Sequence, residues 1–126
     1  MREIEFRGQN INGHWAHGNL AIIKEKLDRA EIGAYISNSA GAPFAYQVRP
    51  ETIGQYTGLK DKNGKKIFEW DIGWDEHNEC YGVVKFEEGK FLYVWENIAE
   101  DLWEVADCIE ICGNIHENPE LLEGTE

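Results

Sequence analysis

The chain lacks several things, and each absence removes a class of protein. No apolar run reaches the roughly 18 residues that a membrane-crossing helix needs, although the chain has 126 residues. It opens on the charged segment MREIEFR, without a basic stretch leading into an apolar one. The expectation is therefore a cytoplasmic protein with no secretory signal and no membrane partner. Cysteine occurs three times, an odd count without regular spacing, which fits free thiols in a reducing compartment better than a disulfide framework. Basic residues are unevenly scarce. Residues 1–50 carry six Lys/Arg against five Asp/Glu, net +1, whereas residues 51–126 carry six against nineteen, net −13, and no Lys or Arg follows Lys90. That balance disfavours binding to phosphate backbones, which calls for clustered Lys and Arg. Internal repeats, low-complexity segments and amphipathic helix patterns are also missing or scarce.

What is present is a series of short, alternating segments bounded by turn residues. EIEFRG sets Ile4 and Phe6 on one face against charged neighbours, as in an outer strand. Asn12-Gly13 then falls where a tight reversal belongs, because both residues tolerate positive φ. Residues 22–32 allow one or two helical turns through Leu27 and Ala30 or Glu31 but are read as part of a long hairpin, NSAGAP at 38–43 as a loop, and FAYQV as a strand with Phe44, Tyr46 and Val48 on one face. Asn63-Gly64 marks a second reversal between YTGL and IFEWDI, with Lys60, Lys62, Lys65 and Lys66 holding the tip in water. Beyond it come IFEWDIGW, YGVVKF, KFLYVW and WEVADCIEICGNI as strands, with EEGK as a compact turn. NIAEDLW suggests one helical turn capped by Asn97, and residues after Asn118-Pro119 suggest another. Closely spaced antiparallel strands with one helical turn predict an all-β protein: an N-terminal β region of hairpins over 1–57, then a small barrel over 58–126.

The segments MREIEFRG, NGHW followed by HGNL, RPETIGQYTGLKDKNGKKIFEWDI, YGVVKFEEGKF and CGNIHENPELL resemble, in order and spacing, the YopX family of bacteriophage and prophage proteins. The likeness spans nearly the whole chain. It implies that the barrel is SH3-like and that the protein is encoded by a phage or an integrated prophage; it implies no activity. Members of that family usually carry glycine where this chain has Trp70, and an aliphatic residue where it has Cys112. A tryptophan in a glycine position is either packed at the domain junction or presents a large ring to a partner.

Reactive constellations are weak. His77 and Cys80, with Cys108, Cys112 and His116, offer zinc-type donors. On a strand, however, Cys108 and Cys112 would stand about 13 Å apart at ~3.3 Å per residue. Because relatives carry an aliphatic residue at its position, the resemblance implies that Cys112 is a small core hydrophobe, and no metal or cofactor is expected. His14, His17, Ser37, Ser39 and Cys80 supply nucleophile and base types without a strand-turn-helix nucleophile elbow. The acids Asp71 with Asp75 and Glu87 with Glu88 are adjacent as chance allows in a chain of twenty-four. Phe86, Tyr93 and Trp95 are assigned to the core, while Trp70, Trp74 and Trp103 are the candidate partner-contact residues. The expected function is a non-enzymatic accessory protein that forms a homo-oligomer through unpaired strand edges and binds a host or phage protein. Alternatives are a nucleic-acid module using the Lys60, Lys62, Lys65 and Lys66 tip, an acidic decoy of a DNA-binding protein, and, remotely, an enzyme.

Overall fold

The computed structural model describes residues 4–24, 33–37 and 45–123. The centre of the predicted 22–32 hairpin, the 38–43 loop, Ser39 and Phe44 lie outside those residues. The described chain is all-β apart from short helical turns, and it divides into two compact units, Met1–Tyr56 and Thr57–Glu126.

The N-terminal unit is an antiparallel meander. Its strands are β1 (Phe6–Gln9), β2 (Trp15–Ile23), β3 (Gly33–Ser37) and β4 (Ala45–Val48), with β1 also pairing the start of β5 (Gly54–Lys60). Strand β4 is the outer edge among the described strands. A small core of Ala34, Ile36 and Val48 is flanked by Phe6, Ala16, Leu20 and Ile53. Gly8 lets this packing close, since a Cβ there would meet Val48 at 3.0 Å and Ile36 at 3.2 Å. The 3-10 turn Pro50–Thr52 seals one end through hydrogen bonds. The Gln9 amide donates to Thr52 Oγ1 at 2.8 Å, that hydroxyl donates to the Arg49 carbonyl, and the Arg49 amide donates to the Gln9 carbonyl. Tyr46 and Val48 share a face of β4 as predicted, opposite Ile36 and Ala34, although Tyr46 is half exposed whereas Val48 is buried.

In the C-terminal unit the end of β5 neighbours β6 (Lys66–Phe68), and a five-stranded antiparallel sheet follows in the order β10-β9-β8-β7-β11. Its strands are β7 (Asp71–Asp75), β8 (Cys80–Glu87), β9 (Lys90–Trp95), β10 (Ile98–Asp101) and β11 (Ile109–Asn114). Helix α1 (Leu102–Val105) and a 3-10 turn (Ala106–Cys108) join β10 to β11, and α2 (Glu120–Glu123) follows Pro119 as predicted. The core gathers Ile67, Val84, Tyr93, Leu102, Ala106, Ile109 and Ile111. Burial of each large apolar side chain contributes roughly 1.5–3 kcal/mol. Tyr93 fills its centre at zero exposure. Glycine makes that possible: a Cβ on Gly82 would come within 2.8 Å of the ring, while the Tyr93 hydroxyl donates to the Gly73 carbonyl at 3.0 Å. Burial above all, with Cys80 and nearby carboxylates, drives the Tyr93 hydroxyl well above its ordinary pKa, so it remains a neutral donor.

Several sequence expectations are corrected here. IFEWDIGW is not one strand: it breaks at Glu69 and Trp70, and Trp70 turns the chain with φ +76°. The segment NIAEDLW begins as strand β10, and helix α1 starts only at Leu102 with Asp101, not Asn97, in the cap position. The cross-strand pairing of Ile98–Asp101 with Leu92–Trp95 overrides the local helix signal. Residues 103–108 of the predicted last strand are helical, and β11 occupies only 109–114. Phe86 is 48% exposed rather than core, because it lies beyond the last buried position of β8 and packs edge-on against Phe91 at 4.8 Å. Cys112 is exposed rather than buried: it alternates with the inward Ile109 and Ile111 and stands at a β-bulge, where the register shifts between Ile111 and Gly113.

Candidate functional site

The lysine tip is a tightly specified turn. Asp61 is buried, and its Oδ1 accepts the amides of Asn63 and Lys65, each at 2.9 Å. Its Oδ2 accepts the Ile111 amide of β11 at 2.8 Å, and the Lys62 amide donates to the Ile109 carbonyl. Burial by itself would raise the Asp61 pKa. The three backbone donors, with help from the Lys65 charge, outweigh it and hold the carboxyl below its ordinary value. Around this anchor Lys60, Lys62 and Lys65 are exposed and Lys66 half-buried. Lys62 Nζ lies 3.6 Å from Glu76 Oε1, so the tip is not a purely cationic patch.

Asp71 and Asp75, considered as an acid pair, each close a turn. The Phe68 amide donates to Asp71 Oδ2 at 2.7 Å, bracing the Trp70 corner. Asp75 accepts the His77 and Asn78 amides on Oδ1 and the Asn78 side-chain amide on Oδ2. Asn114 does the same at the end of β11, accepting the His116 and Glu117 amides. The Trp70 corner is fixed on both sides, since its amide donates to the Val84 carbonyl and its carbonyl accepts the Ile115 amide. Its side chain is half-buried.

The cysteines are separated by environment. Cys80 is buried while Cys108 and Cys112 are exposed. All three thiols are held above the ordinary value by desolvation first, then by neighbouring carboxylates: Asp75, Glu96 and Glu100 at Cys80, Asp107 at Cys108, Glu110 at Cys112. None is an activated thiolate. Among the described residues no three His, Cys, Asp or Glu side chains are grouped to hold a metal ion. His17 Nδ1 lies 3.2 Å from Glu5 Oε2, and the Arg7 guanidinium sits 4.7 Å from the Trp15 ring centre. Together with His14 and Tyr46, His17 and Trp15 line an open depression of about 450 Å³ in the N-terminal unit.

The C-terminal unit carries an open groove of about 890 Å³ on the outer face of the five-stranded sheet. Alternation along β8 sends Cys80, Gly82 and Val84 inward, and Tyr81 and Val83 outward. The register sets Trp74 opposite Tyr81 and Val83 opposite Val94, giving a continuous apolar stripe. Trp74 and Tyr81 meet edge-to-face at 4.8 Å. Trp95 is oriented by a 2.7 Å bond from its Nε1 to Glu100 Oε2, and Leu122 of α2 borders the groove. Of the three tryptophans singled out from the sequence, only Trp74 lines this groove; Trp103, 68% exposed, stands on α1. Tyr81, Glu79 and Glu96 were not foreseen; Trp95, assigned to the core, packs against it half-buried while also bordering this groove. A signal existed in Trp74 and Tyr81 flanking the polar run DEHNEC, which would bring them together once that run closes a hairpin.

Fold and surface define a small, acidic all-β protein of two antiparallel β units, in which no helix among the described residues is long and apolar enough to cross a membrane. The chain belongs to the YopX protein family, whose model matches residues 5–123. It is similar to protein EF1440 from Enterococcus faecalis, whose crystal structure superposes with a TM-score of 0.60 at 25% identity, covering 97% of this chain and 99% of that one. No curated protein matches the chain.

Proposed function

We propose that this protein is a non-enzymatic phage or prophage accessory protein, a β module that self-associates and binds a host or phage protein. The observation that carries this reading is the concentration of exposed apolar side chains at sheet edges and turn tips. Ile11 is 86% exposed at the β1–β2 tip and Tyr46 is 49% exposed on edge strand β4. In the C-terminal unit Ile98 is 43% exposed on edge strand β10, and Trp103 follows five residues later. Unpaired strand edges with apolar neighbours are surfaces that pair with another chain. The strand order β10-β9-β8-β7-β11, with a helical turn between the two edges, supports reading the C-terminal unit as an SH3-like barrel.

Light scattering on the purified protein tests self-association, with an oligomer expected at micromolar concentration and a smaller mass for Ile11→Asp. A monomer for the parent chain would remove that half of the proposal. Affinity purification with mass spectrometry from infected or induced cells tests the other half. A specific host or phage protein is expected, and recovery of none sinks it.

A further inference from the structure

We propose that the outer groove of the five-stranded sheet docks a basic peptide segment, whose Arg or Lys side chain lies against the Trp74 and Tyr81 rings and pairs with Glu79 and Glu96. This rests on the reading of the protein as a protein-binding module and assigns the chemistry of what one of its surfaces takes.

Charge and shape agree on that occupant. The floor is apolar and aromatic, built from Trp74, Tyr81, Val83 and Val94, and so suits the stem and the flat face of an Arg or Lys side chain. The described lining adds two carboxylates, Glu79 and Glu96, and no Lys, Arg or His. Those two residues come from different hairpin turns, β7–β8 and β9–β10, yet both border this groove. Each holds a left-handed backbone, φ +51° at Glu79 and +52° at Glu96, where Gly or Asn is usual. Glu100, bound to Trp95 Nε1, and Asp75 add negative potential from below, as their effect on Cys80 records. The two rings are held before any ligand arrives, Trp74 and Tyr81 by each other, and Trp95 beneath them is held by its bond to Glu100 and by the core. An acidic peptide or a nucleic-acid backbone would meet like charge in this place.

Fluorescence anisotropy with a labelled peptide of alternating arginine and leucine, on the full chain, tests the idea against a peptide with glutamine in place of arginine. The arginine peptide should bind more tightly than the glutamine peptide, and its affinity should fall as salt rises. The double variant E79Q/E96Q, altered only at exposed side chains, should weaken binding about tenfold or more. E87Q/E88Q, which removes the same charge from the opposite end of the sheet, should change it less than about threefold. Equal affinity for the two peptides, parent-like binding by E79Q/E96Q, or equal loss in both double variants would overturn the proposal. A host or phage protein captured equally by the parent and by E79Q/E96Q would keep the protein-binding function and overturn this groove as its seat. Selective arginine-peptide binding lost in E79Q/E96Q would support the groove even where no cellular partner is recovered.

Discussion

Two turns of this protein share one pattern, an Asn or Asp two residues before an Asn-Gly pair, and do different work. Asn10-Ile11-Asn12-Gly13-His14 closes β1 onto β2, and Asp61-Lys62-Asn63-Gly64-Lys65 lies between β5 and β6. In both, the first residue's Oδ1 accepts amides two and four positions on, at 2.9 Å in all four cases. In both, the glycine stands at positive φ, +86° and +84°, and donates its amide to the first residue's carbonyl at 3.0 Å. The difference is one atom. Asn10 has an amide nitrogen where Asp61 has a second carboxylate oxygen, and that oxygen takes the Ile111 amide from 50 residues away. A local turn code thus becomes a tertiary clamp when asparagine is exchanged for aspartate and the site is buried.

The largest effect should come from Asp61→Ala, which strands three backbone donors, one of them buried, and should cost about 3 kcal/mol in urea unfolding. Asn10→Ala, which strands only exposed amides, should cost about 1 kcal/mol or less. If the two losses are equal, the clamp is not what distinguishes the turns. Next, Asp61→Asn turns the second motif into a copy of the first. It should cost about 2 kcal/mol, because the Ile111 amide then faces a donor or nothing, whereas Asn10→Asp should stay within about 0.5 kcal/mol.

Acid sharpens the same contrast. The Asp61 carboxyl sits below its ordinary value of 3.8. Its stabilising contribution is therefore complete above that value and is lost as pH falls through the lower, folded-state pKa. The stability gap between the parent and Asp61→Asn should narrow under acid, and a gap that widens on acidification would contradict the assignment. The glycines offer an internal control. A Cβ at Gly13 or Gly64 meets nothing within 4 Å, so Gly→Ala at either site should cost only the torsional strain, about 1 kcal/mol each. Of similar size is the effect at Trp70, which holds φ +76° without being glycine. Trp70→Gly should be more stable than Trp70→Ala by about 1 kcal/mol, the reverse of the usual ranking in a strand.

The turns show what was legible before any coordinates. Asn12-Gly13, Asn63-Gly64 and Glu88-Gly89 carry their geometry locally, and each was placed from residue type alone. Tyr93 was likewise assigned to the core by alternation, and it is fully buried. What escaped depends on distant partners. The Asp61 carboxylate among four lysines reads as solvated because the sequence does not display the Ile111 amide. The bulge at Cys112 inverts the inside-outside order of β11 by one extra residue, and no composition signal marks it. Strand β10 exists because Leu92–Trp95 lies beside it, against a segment whose acids and Asn97 favour a helix start. The Trp74 groove was half legible. One of its rings was singled out, while its carboxylates reach it from two hairpin turns whose lengths had to be known first.

The bond from the Ile111 amide to Asp61 also orders events in time. The turn around Asn63-Gly64 can close within microseconds from residues already adjacent, whereas its second oxygen must wait for a strand 50 positions downstream and for the chain entropy of that closure to be met. Loss of that bond should therefore appear mainly as faster unfolding, with refolding little changed. The same carboxylate would serve as an early local nucleus and a late latch.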